Sequence, residues 1–173
     1  MKRFYLTGVS GVGKSSVSEA LNQLGIYSID IDQIDGLCRW VNKNTHQESK
    51  WHSGIGDEWL EAHEWICDKS KLAELMERNE DVVVVGAASN QSQYLDLFDK
   101  IFLLQCSQET FLKRITDRTN NDFGKHPSEQ VRILNWYKDF GKNMLNQGAI
   151  YVDTDKPLPE VVDQIVCELK KSE

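Results

Sequence analysis

The feature that most constrains the fold is a glycine-rich run near the amino terminus, Gly8–Ser15, with the sequence GVSGVGKS. It matches the pattern G-x-x-x-x-G-K-[ST] at every fixed position. The run follows a short β-rich segment, Arg3–Thr7, and leads into helical spacing of apolar residues from Lys14 to about Leu24. A glycine-rich turn between a strand and a helix is the setting in which this pattern forms a phosphate-binding loop.

Each residue type in this loop has a chemical reason. Glycines allow the tight, partly left-handed turn that aims consecutive backbone N–H groups at one phosphate. The Lys14 ammonium reaches the β- and γ-phosphates, and the Ser15 hydroxyl joins the coordination of Mg²⁺. The chain is therefore predicted to bind ATP with Mg²⁺. The candidate nucleotide-binding residues in the loop are Gly8, Gly11, Val12, Gly13, Lys14, Ser15 and Ser16.

Strand and helix patterns alternate along the rest of the chain. Val82–Val85 is apolar on both faces, which is typical of a central parallel strand covered by helices. Similar runs predict the other strands at 3–7, 26–29, 101–104 and 149–152. Apolar spacing predicts helices at about 14–24, 57–78, 107–118, 128–146 and 159–171. The alternation predicts an α/β fold with a parallel sheet and right-handed crossovers.

The same pattern predicts the domain organisation. No repeat or low-complexity linker interrupts residues 1–173, so we expect a single domain. Residues 31–80 are longer than one crossover helix requires, and residues 119–128 are polar and turn-rich. Long insertions on a compact sheet are usually functional, so these two stretches are predicted to be binding inserts or lids.

Composition narrows the classes of partner. The 173-residue chain has a net charge of −7, which argues against a general nucleic-acid binder because such proteins need a basic surface. No purely apolar run is longer than that at Val82–Val85, which is far too short to span a membrane. The four cysteines are scattered and form no CxxC pair, which indicates reduced thiols of a cytoplasmic protein.

Acidic residues end the second predicted strand, at Asp30 and Asp32. The carboxyl ends of parallel strands meet at the sheet edge where open α/β proteins bind ligands, beside the phosphate loop. One carboxylate can join the Mg²⁺ shell, and the other can accept a proton from an acceptor hydroxyl. Asp32 is the predicted base, and Asp35 is a weaker candidate. Aspartates at strand ends can also simply mark turns, so that interpretation stays open.

Two arginines follow the fourth predicted strand. Arg114 and Arg118 are four residues apart, so on a helix their side chains would share one face just before the polar stretch 119–128. Arginines near a transferring phosphoryl group can stabilise its charge, which makes Arg118 a predicted catalytic residue. A solvated basic stripe is the alternative interpretation of the same spacing.

Aromatic residues concentrate in the predicted insert. Four of the five tryptophans lie between residues 40 and 65, interleaved with Arg39 and other basic side chains. Such a cluster could stack a base or sugar and hold an anionic group, or it could form the core of the insert. Trp59 and Trp65 fall within the predicted helix 57–78 and favour the core role. Arg39, together with Asn90 and Gln91 after the third strand, is a candidate acceptor-binding residue.

Taken together, these motifs resemble the nucleoside-monophosphate kinase and shikimate/gluconate kinase group of P-loop kinases, over nearly the whole chain. Asp30-Ile31-Asp32 is similar to the D-x-D of shikimate kinases. The resemblance implies that Asp30 helps to hold Mg²⁺ and that Asp32 binds the acceptor. The spacing of Arg114 and Arg118 is similar to the lid pattern of nucleotide kinases, which implies that Arg114 stacks on adenine and Arg118 contacts phosphates.

The resemblance also extends to the end of the chain. The turn that begins Asp153-Thr154-Asp155-Lys156 lies where such enzymes place a loop against adenine, which implies nucleotide-binding roles for Asp153 and Lys156. The resemblance implies a three-layer αβα P-loop NTPase fold with sheet order 2-3-1-4-5, with residues 31–80 as the acceptor-binding insert and about 119–128 as the lid. The segments D-G-L-x-x-W, from Asp35, and R-x-N-N-D-F-G-K, from Arg118, are similar to bacterial AAA-type ATP-binding proteins.

The function implied is transfer of the ATP γ-phosphoryl group to a small acceptor, with nucleosides or nucleotides first and shikimate- or gluconate-like compounds second. The expected protein is a monomer or homodimer that binds neither nucleic acid nor membrane. The chain departs from the group after strand three, where Gly86–Gln91 contains neither three consecutive glycines nor Gly-x-Pro-Arg. The alternative is a P-loop ATPase or nucleotide switch acting on a partner protein. Such switches usually keep a metal-binding Asp after a central strand, which 82–86 lacks.

Overall fold

The computed structural model describes residues 1–78, 81–119 and 121–171. Its strands are β1 (Lys2–Thr7), β2 (Ser28–Asp30), β3 (Cys38–Asn42), β4 (Glu48–Ser49), β5 (His63–Cys67), β6 (Asp81–Val85), β7 (Lys100–Gln105) and β8 (Ile150–Asp153). Its α-helices are α1 (Lys14–Gln23), α2 (Asp57–Ala62), α3 (Lys69–Glu77), α4 (Gln108–Asp117), α5 (Pro127–Asn146) and α6 (Leu158–Lys170). Short 3₁₀ turns occupy Gln91–Gln93 and Leu95–Leu97.

The main sheet is parallel and has five strands in the order β2-β6-β1-β7-β8. Numbered by the five predicted strands alone, this is the order 2-3-1-4-5, so the predicted topology is confirmed. β1 lies at the centre, with Phe4 opposite Val83 of β6 and Tyr5 opposite Ile101 of β7. This arrangement brings the carboxyl ends of β1, β2 and β6 to one edge, where the phosphate loop begins.

Helices bury both faces of this sheet. On one face, α1, α4, α5 and α6 pack on β1 and β7, with fully buried side chains such as Leu21 and Phe111. On the other face, α3 places Leu72 and Met76 against Tyr5. Burial on both faces explains why β6 is a continuous run of valines instead of an alternating pattern. Within the described ranges, every helix is too short or too polar to cross a lipid bilayer.

The predicted helix over 57–78 is wrong in its middle. Only Asp57–Ala62 and Lys69–Glu77 are helical, whereas His63–Cys67 is β5. β5 pairs antiparallel with β3, which also pairs with β4, and the three form a second, smaller sheet in the order β4-β3-β5. Helical spacing reports only local preference, and pairing with a distant strand decides the outcome here. Trp65 therefore lies on a strand and not on a helix.

The second predicted strand also begins later than expected, at Ser28 instead of Ile26. The Ile26 N–H donates to the carbonyl of Leu21 at 3.0 Å, so Ile26 still belongs to the turn that ends α1. The β3–β5 pairing has a further consequence, since it brings Cys38 opposite Cys67. Both thiols are free, and a hydrogen bond with Cys67 together with burial raises the pKa of Cys38.

Candidate functional site

The phosphate loop is held in place by its own glycines and lysine. Gly11 and Gly13 have φ angles of 87° and 97°, a left-handed conformation that side chains disfavour, and Gly13 caps the amino terminus of α1. Lys14 lies at the first turn of α1 and donates from Nζ to the carbonyls of Gly8 at 2.8 Å and Val9 at 3.0 Å. The loop thus brings backbone N–H groups, a helix amino terminus and an ammonium group to one place, which suits an anion.

A cavity of about 910 Å³ opens beside this loop and is named here the phosphate-loop cavity. The predicted site residues in its wall are Gly11, Val12, Gly13, Lys14, Ser15, Ser16, Asp30, Asp32, Arg114, Arg118 and Lys156. Two predicted nucleotide-binding residues act from outside the wall. The Gly8 carbonyl accepts from Lys14, and the Asp153 carboxylate accepts the Asp155 N–H at 3.0 Å, which shapes the turn that carries Lys156.

The residues predicted to hold Mg²⁺ fit that ion. Ser15 and Asp30 both line the phosphate-loop cavity, so a hydroxyl and a carboxylate are available on the same wall. Asp30 Oδ1 accepts the Asp32 N–H at 3.0 Å, and Oδ2 accepts the side-chain amide of Gln33 at 3.3 Å. These bonds fix the carboxylate and leave further lone pairs. Hard oxygen ligands of this kind suit Mg²⁺, which keeps most of its shell for water and phosphate oxygens.

A second cavity of about 740 Å³, named here the aromatic cavity, has ring side chains on several walls. The rings come from the second sheet and its loops, from the predicted lid and from α5: Trp40, Trp51, Trp65, Phe123, Trp136 and Phe140. Trp59 instead stacks on His63, with centroids 4.0 Å apart, and supports Trp40 from the edge. Trp59 therefore packs inside the insert, whereas Trp40, Trp51 and Trp65 line the aromatic cavity.

The two cavities meet at four residues that line both of them: Ser10, Lys14, Asp32 and Asn121. Asp32 Oδ1 accepts the indole N–H of Trp65 at 3.0 Å, which holds the carboxylate at this junction. The protein around the cavities desolvates Asp32 and raises its pKa, an effect that the nearby Lys14 ammonium opposes. Burial likewise lowers the pKa of Lys14, and the carboxylates of Asp32 and Asp30 oppose that shift. A carboxylate and an ammonium therefore both line the place where the cavities join.

The three remaining acceptor candidates lie in different places. Gln91 lines the aromatic cavity, where its Oε1 accepts from Tyr5 at 3.1 Å and Thr7 at 3.2 Å. Asn90 bonds to both backbone groups of Cys67, at 2.9 and 2.8 Å, and so fastens β5 to the segment after β6. Arg39 is next to Trp40 on β3 and therefore faces the other way, towards Asp68 at 3.6 Å. Only Gln91 of these three reaches the cavity wall.

The two predicted arginines do not share a helix face. Arg114 lies on α4 and donates to the carbonyls of Val12 at 3.4 Å and Thr154 at 2.7 Å. Arg118 follows the end of α4 with an extended backbone, and its guanidinium donates to the carbonyls of Asn121 and Phe123. Burial lowers the pKa of Arg118, while Asp122, Asp32 and Glu129 oppose the shift. Both side chains still line the phosphate-loop cavity, by different routes.

Several wall residues escaped the sequence analysis. Arg132, Trp136 and Phe140 are spaced four apart on α5, which places all three on one helix face. The sequence contains this spacing, but no motif in α5 connects the helix with the insert. Asn121 and Ser10 were hidden because polar residues in loops are common and carry little signal. Arg132 gives the aromatic cavity a cation besides Lys14.

Comparison with known families identifies the chain. A family model described as AAA domain matches residues 5–135, more than half of the chain, including the phosphate loop, the two aspartates and the two arginines. The chain belongs to the AAA domain family. The resemblance to AAA-type ATP-binding proteins is thereby confirmed. A search of curated proteins finds no match to this AAA domain protein.

Solved structures with the same fold cover almost all of it. A deoxyadenosine kinase from M. mycoides with bound dATP has a TM-score of 0.58 at 17% identity, covering 97% of this chain and 99% of that one. A gluconokinase from Sinorhizobium meliloti 1021 has a TM-score of 0.56 at 21% sequence identity, covering 98% of this chain and 92% of that one. A shikimate kinase from Bacteroides thetaiotaomicron has a TM-score of 0.61 at 14% sequence identity, covering 98% of each chain. These similarities show that the AAA domain protein has the P-loop kinase fold.

Proposed function

We propose that this AAA domain protein is an ATP-dependent phosphotransferase that moves the γ-phosphoryl group to a small-molecule acceptor. The observation that carries the proposal is the junction, where Lys14 and Asp32 line both the phosphate-loop cavity and the aromatic cavity. One cavity has the loop and cations for a nucleoside triphosphate, and the other has room for a second small molecule. A carboxylate and an ammonium between two such cavities are the groups that phosphoryl transfer requires.

In the proposed reaction, the acceptor hydroxyl lies against Asp32 and gives its proton to that carboxylate. The hydroxyl oxygen then bonds to the γ-phosphorus, and the bond from phosphorus to the bridging oxygen breaks as ADP leaves. Lys14 and Arg118 stabilise the charge that develops on the transferring group. Mg²⁺, held by Ser15 and Asp30 with phosphate oxygens, would neutralise part of the phosphate charge. Trp65 keeps Asp32 aimed at the junction through its indole N–H.

The side chains that line the aromatic cavity favour one class of acceptor. Flat rings such as Trp40, Trp65 and Phe123 favour a planar or ring-shaped molecule, because aromatic faces stack well on such partners. We therefore place nucleosides and nucleotides first and shikimate- or gluconate-like compounds second. The neighbouring structures of a deoxyadenosine kinase, a gluconokinase and a shikimate kinase support the same short list. We further propose that the protein acts in the cytoplasm as a monomer or homodimer.

The test is ADP release from ATP with Mg²⁺ across a panel of acceptors. The panel holds nucleosides, nucleoside monophosphates, shikimate, gluconate and common sugars. One acceptor class is expected to stimulate ADP release strongly and to yield a phosphorylated product by mass spectrometry. Stimulation by none of them, with ATP still bound tightly, would contradict this short list. An ATPase rate that no small molecule changes would point to a switch acting on a partner protein.

Arg118→Ala is expected to lower kcat about ten- to hundredfold while changing the acceptor KM little. A hydrogen bond to a charged group contributes about 1.5–3 kcal/mol, and the γ-phosphoryl oxygens gain charge in the transition state. Steady-state kinetics with the identified acceptor measures both constants. Arg78→Ala, at an exposed position after α3, is the control and should match the wild type. An unchanged kcat in the Arg118 variant would mean that Arg118 serves only to hold the carbonyls of the predicted lid.

A further inference from the structure

Glu129 is a buried carboxylate that the proposed chemistry does not use. Its side chain is 1% exposed, and it lies in the first turn of α5. Its Oε2 accepts the N–H of Gly124 at 2.8 Å and that of His126 at 3.4 Å. A glutamate in this position often satisfies free N–H groups at the start of its own helix. That ordinary capping role accounts for one oxygen of the carboxylate but not for the other.

The second oxygen bonds to a different part of the molecule. Glu129 Oε1 accepts the indole N–H of Trp51 at 3.2 Å, and Trp51 belongs to the insert, far from α5 in sequence. The bond therefore attaches Glu129 to a ring in the wall of the aromatic cavity. A buried carboxylate that accepts N–H groups from two distant segments fixes them relative to each other. The carboxylate therefore ties the insert to the loop that precedes α5.

Ring packing strengthens the same connection. Phe123, one residue before Gly124, packs against Trp51 with centroids 5.7 Å apart and against Trp40 at 6.2 Å. The Phe123 carbonyl in turn accepts from the Arg118 guanidinium. A continuous set of contacts thus runs from the insert through Trp51, Glu129 and Phe123 to Arg118. Arg118 lines the phosphate-loop cavity, so the contacts reach from one cavity to the other.

We propose that Glu129 is a positioning residue that couples the acceptor side of the site to Arg118 by clamping Trp51 to the segment 121–126. This inference rests on the proposed function for its catalytic consequence, although the clamp itself is a property of the fold. Glu129 does not touch the reacting atoms in this arrangement. It sets where Phe123 closes on the insert, and hence where Arg118 is held when both cavities are filled.

Two conservative changes test the clamp kinetically. Glu129→Gln replaces one of the two carboxylate oxygens with an NH2 group, so the Trp51 and Gly124 N–H groups, which bond to different oxygens, cannot both keep their acceptor. Trp51→Phe removes the indole N–H but keeps an aromatic ring that can pack on Phe123. Each is expected to raise the acceptor KM and lower kcat about five- to tenfold, the effect of losing one hydrogen bond. The double variant should be little worse than either single one, because both remove the same contact. Asp139→Asn, exposed on the same helix, is the control.

Hydrogen exchange decides the question independently of any activity. Without ligand, both variants should exchange the Gly124 amide several times faster than the wild type and should loosen the insert around residue 51. If Glu129→Gln affects only the start of α5, and Trp51→Phe leaves Gly124 unchanged, Glu129 is a helix cap alone and the proposal is overturned. Fully additive kinetic losses would overturn it as well. Wild-type protein that phosphorylates no acceptor would refute the proposed function, while the exchange result would still decide the clamp.

Discussion

Lys14→Ala is expected to lower the rate of ATP turnover about a thousandfold, the loss typical of removing one well-placed electrostatic donor from a reacting site. Lys14 is at the junction of both cavities, and Asp32 and Asp30 are the carboxylates that influence its charge most. In the proposed reaction it contacts the β- and γ-phosphates on one side and the acceptor on the other. ADP release in the presence of the acceptor measures the effect.

Loss of activity in this variant should not come from unfolding. Removing Lys14 removes a charge that the protein desolvates, which is shown by its lowered pKa. The turn that carries its two carbonyl partners is shaped by Gly11 and Gly13 and does not depend on the lysine. We expect the thermal unfolding midpoint to stay within a few degrees of the wild type. Lys142→Ala, an exposed lysine on α5, is the matched control and should retain full activity. Full ATP turnover by the Lys14 variant would contradict the assignment of Gly8–Ser15 as a phosphate-binding loop.

The parts of the fold that the sequence predicted well are those whose cause is local. The phosphate loop is such a case, because its glycine positions are set by backbone conformation within a few residues. β6 is another, since four consecutive valines with apolar character on both faces leave a covered parallel strand as the natural interpretation. The sheet order was implied by the resemblance, and the structure confirms it. The position of Asp30 and Asp32 beside the phosphate loop was predicted from the rule that the carboxyl ends of parallel strands share one edge of the sheet.

The parts that the sequence predicted poorly depend on contacts between distant segments. The sequence of β5 favours a helix, and only its pairing with β3 makes it a strand. On β3, Arg39 points away from the cavity that the neighbouring Trp40 lines. Arg118 has helical spacing from Arg114, but its backbone becomes extended in order to bond the carbonyls of the next loop. Glu129 looks like an ordinary helix-start glutamate because Trp51, its other partner, is far away in sequence. No local pattern records such partners.

The other large effect is expected for Asp32→Asn, which should lower kcat by roughly a hundred- to ten-thousandfold, the usual contribution of a general base. Asparagine keeps an oxygen that can accept the Trp65 indole N–H, so the side chain should remain at the junction. ATP binding, measured by calorimetry without acceptor, should not weaken, because asparagine is almost the same size and the loss of a negative charge does not oppose binding of an anion. Asp35, the weaker candidate base, lines neither cavity, so Asp35→Asn is the matched control and should keep wild-type kcat.

The pH dependence separates a base from a residue that only binds the acceptor. The carboxylate must be ionised to accept a proton, so kcat should rise with pH as Asp32 loses its own proton. Desolvation raises the pKa of Asp32, which places this acidic limb above the value of about 4 that is usual for an aspartate. The limb should vanish in Asp32→Asn and persist in Asp35→Asn. An unchanged kcat in Asp32→Asn, or the same acidic limb, would rule out Asp32 as the base and leave it an acceptor-binding residue.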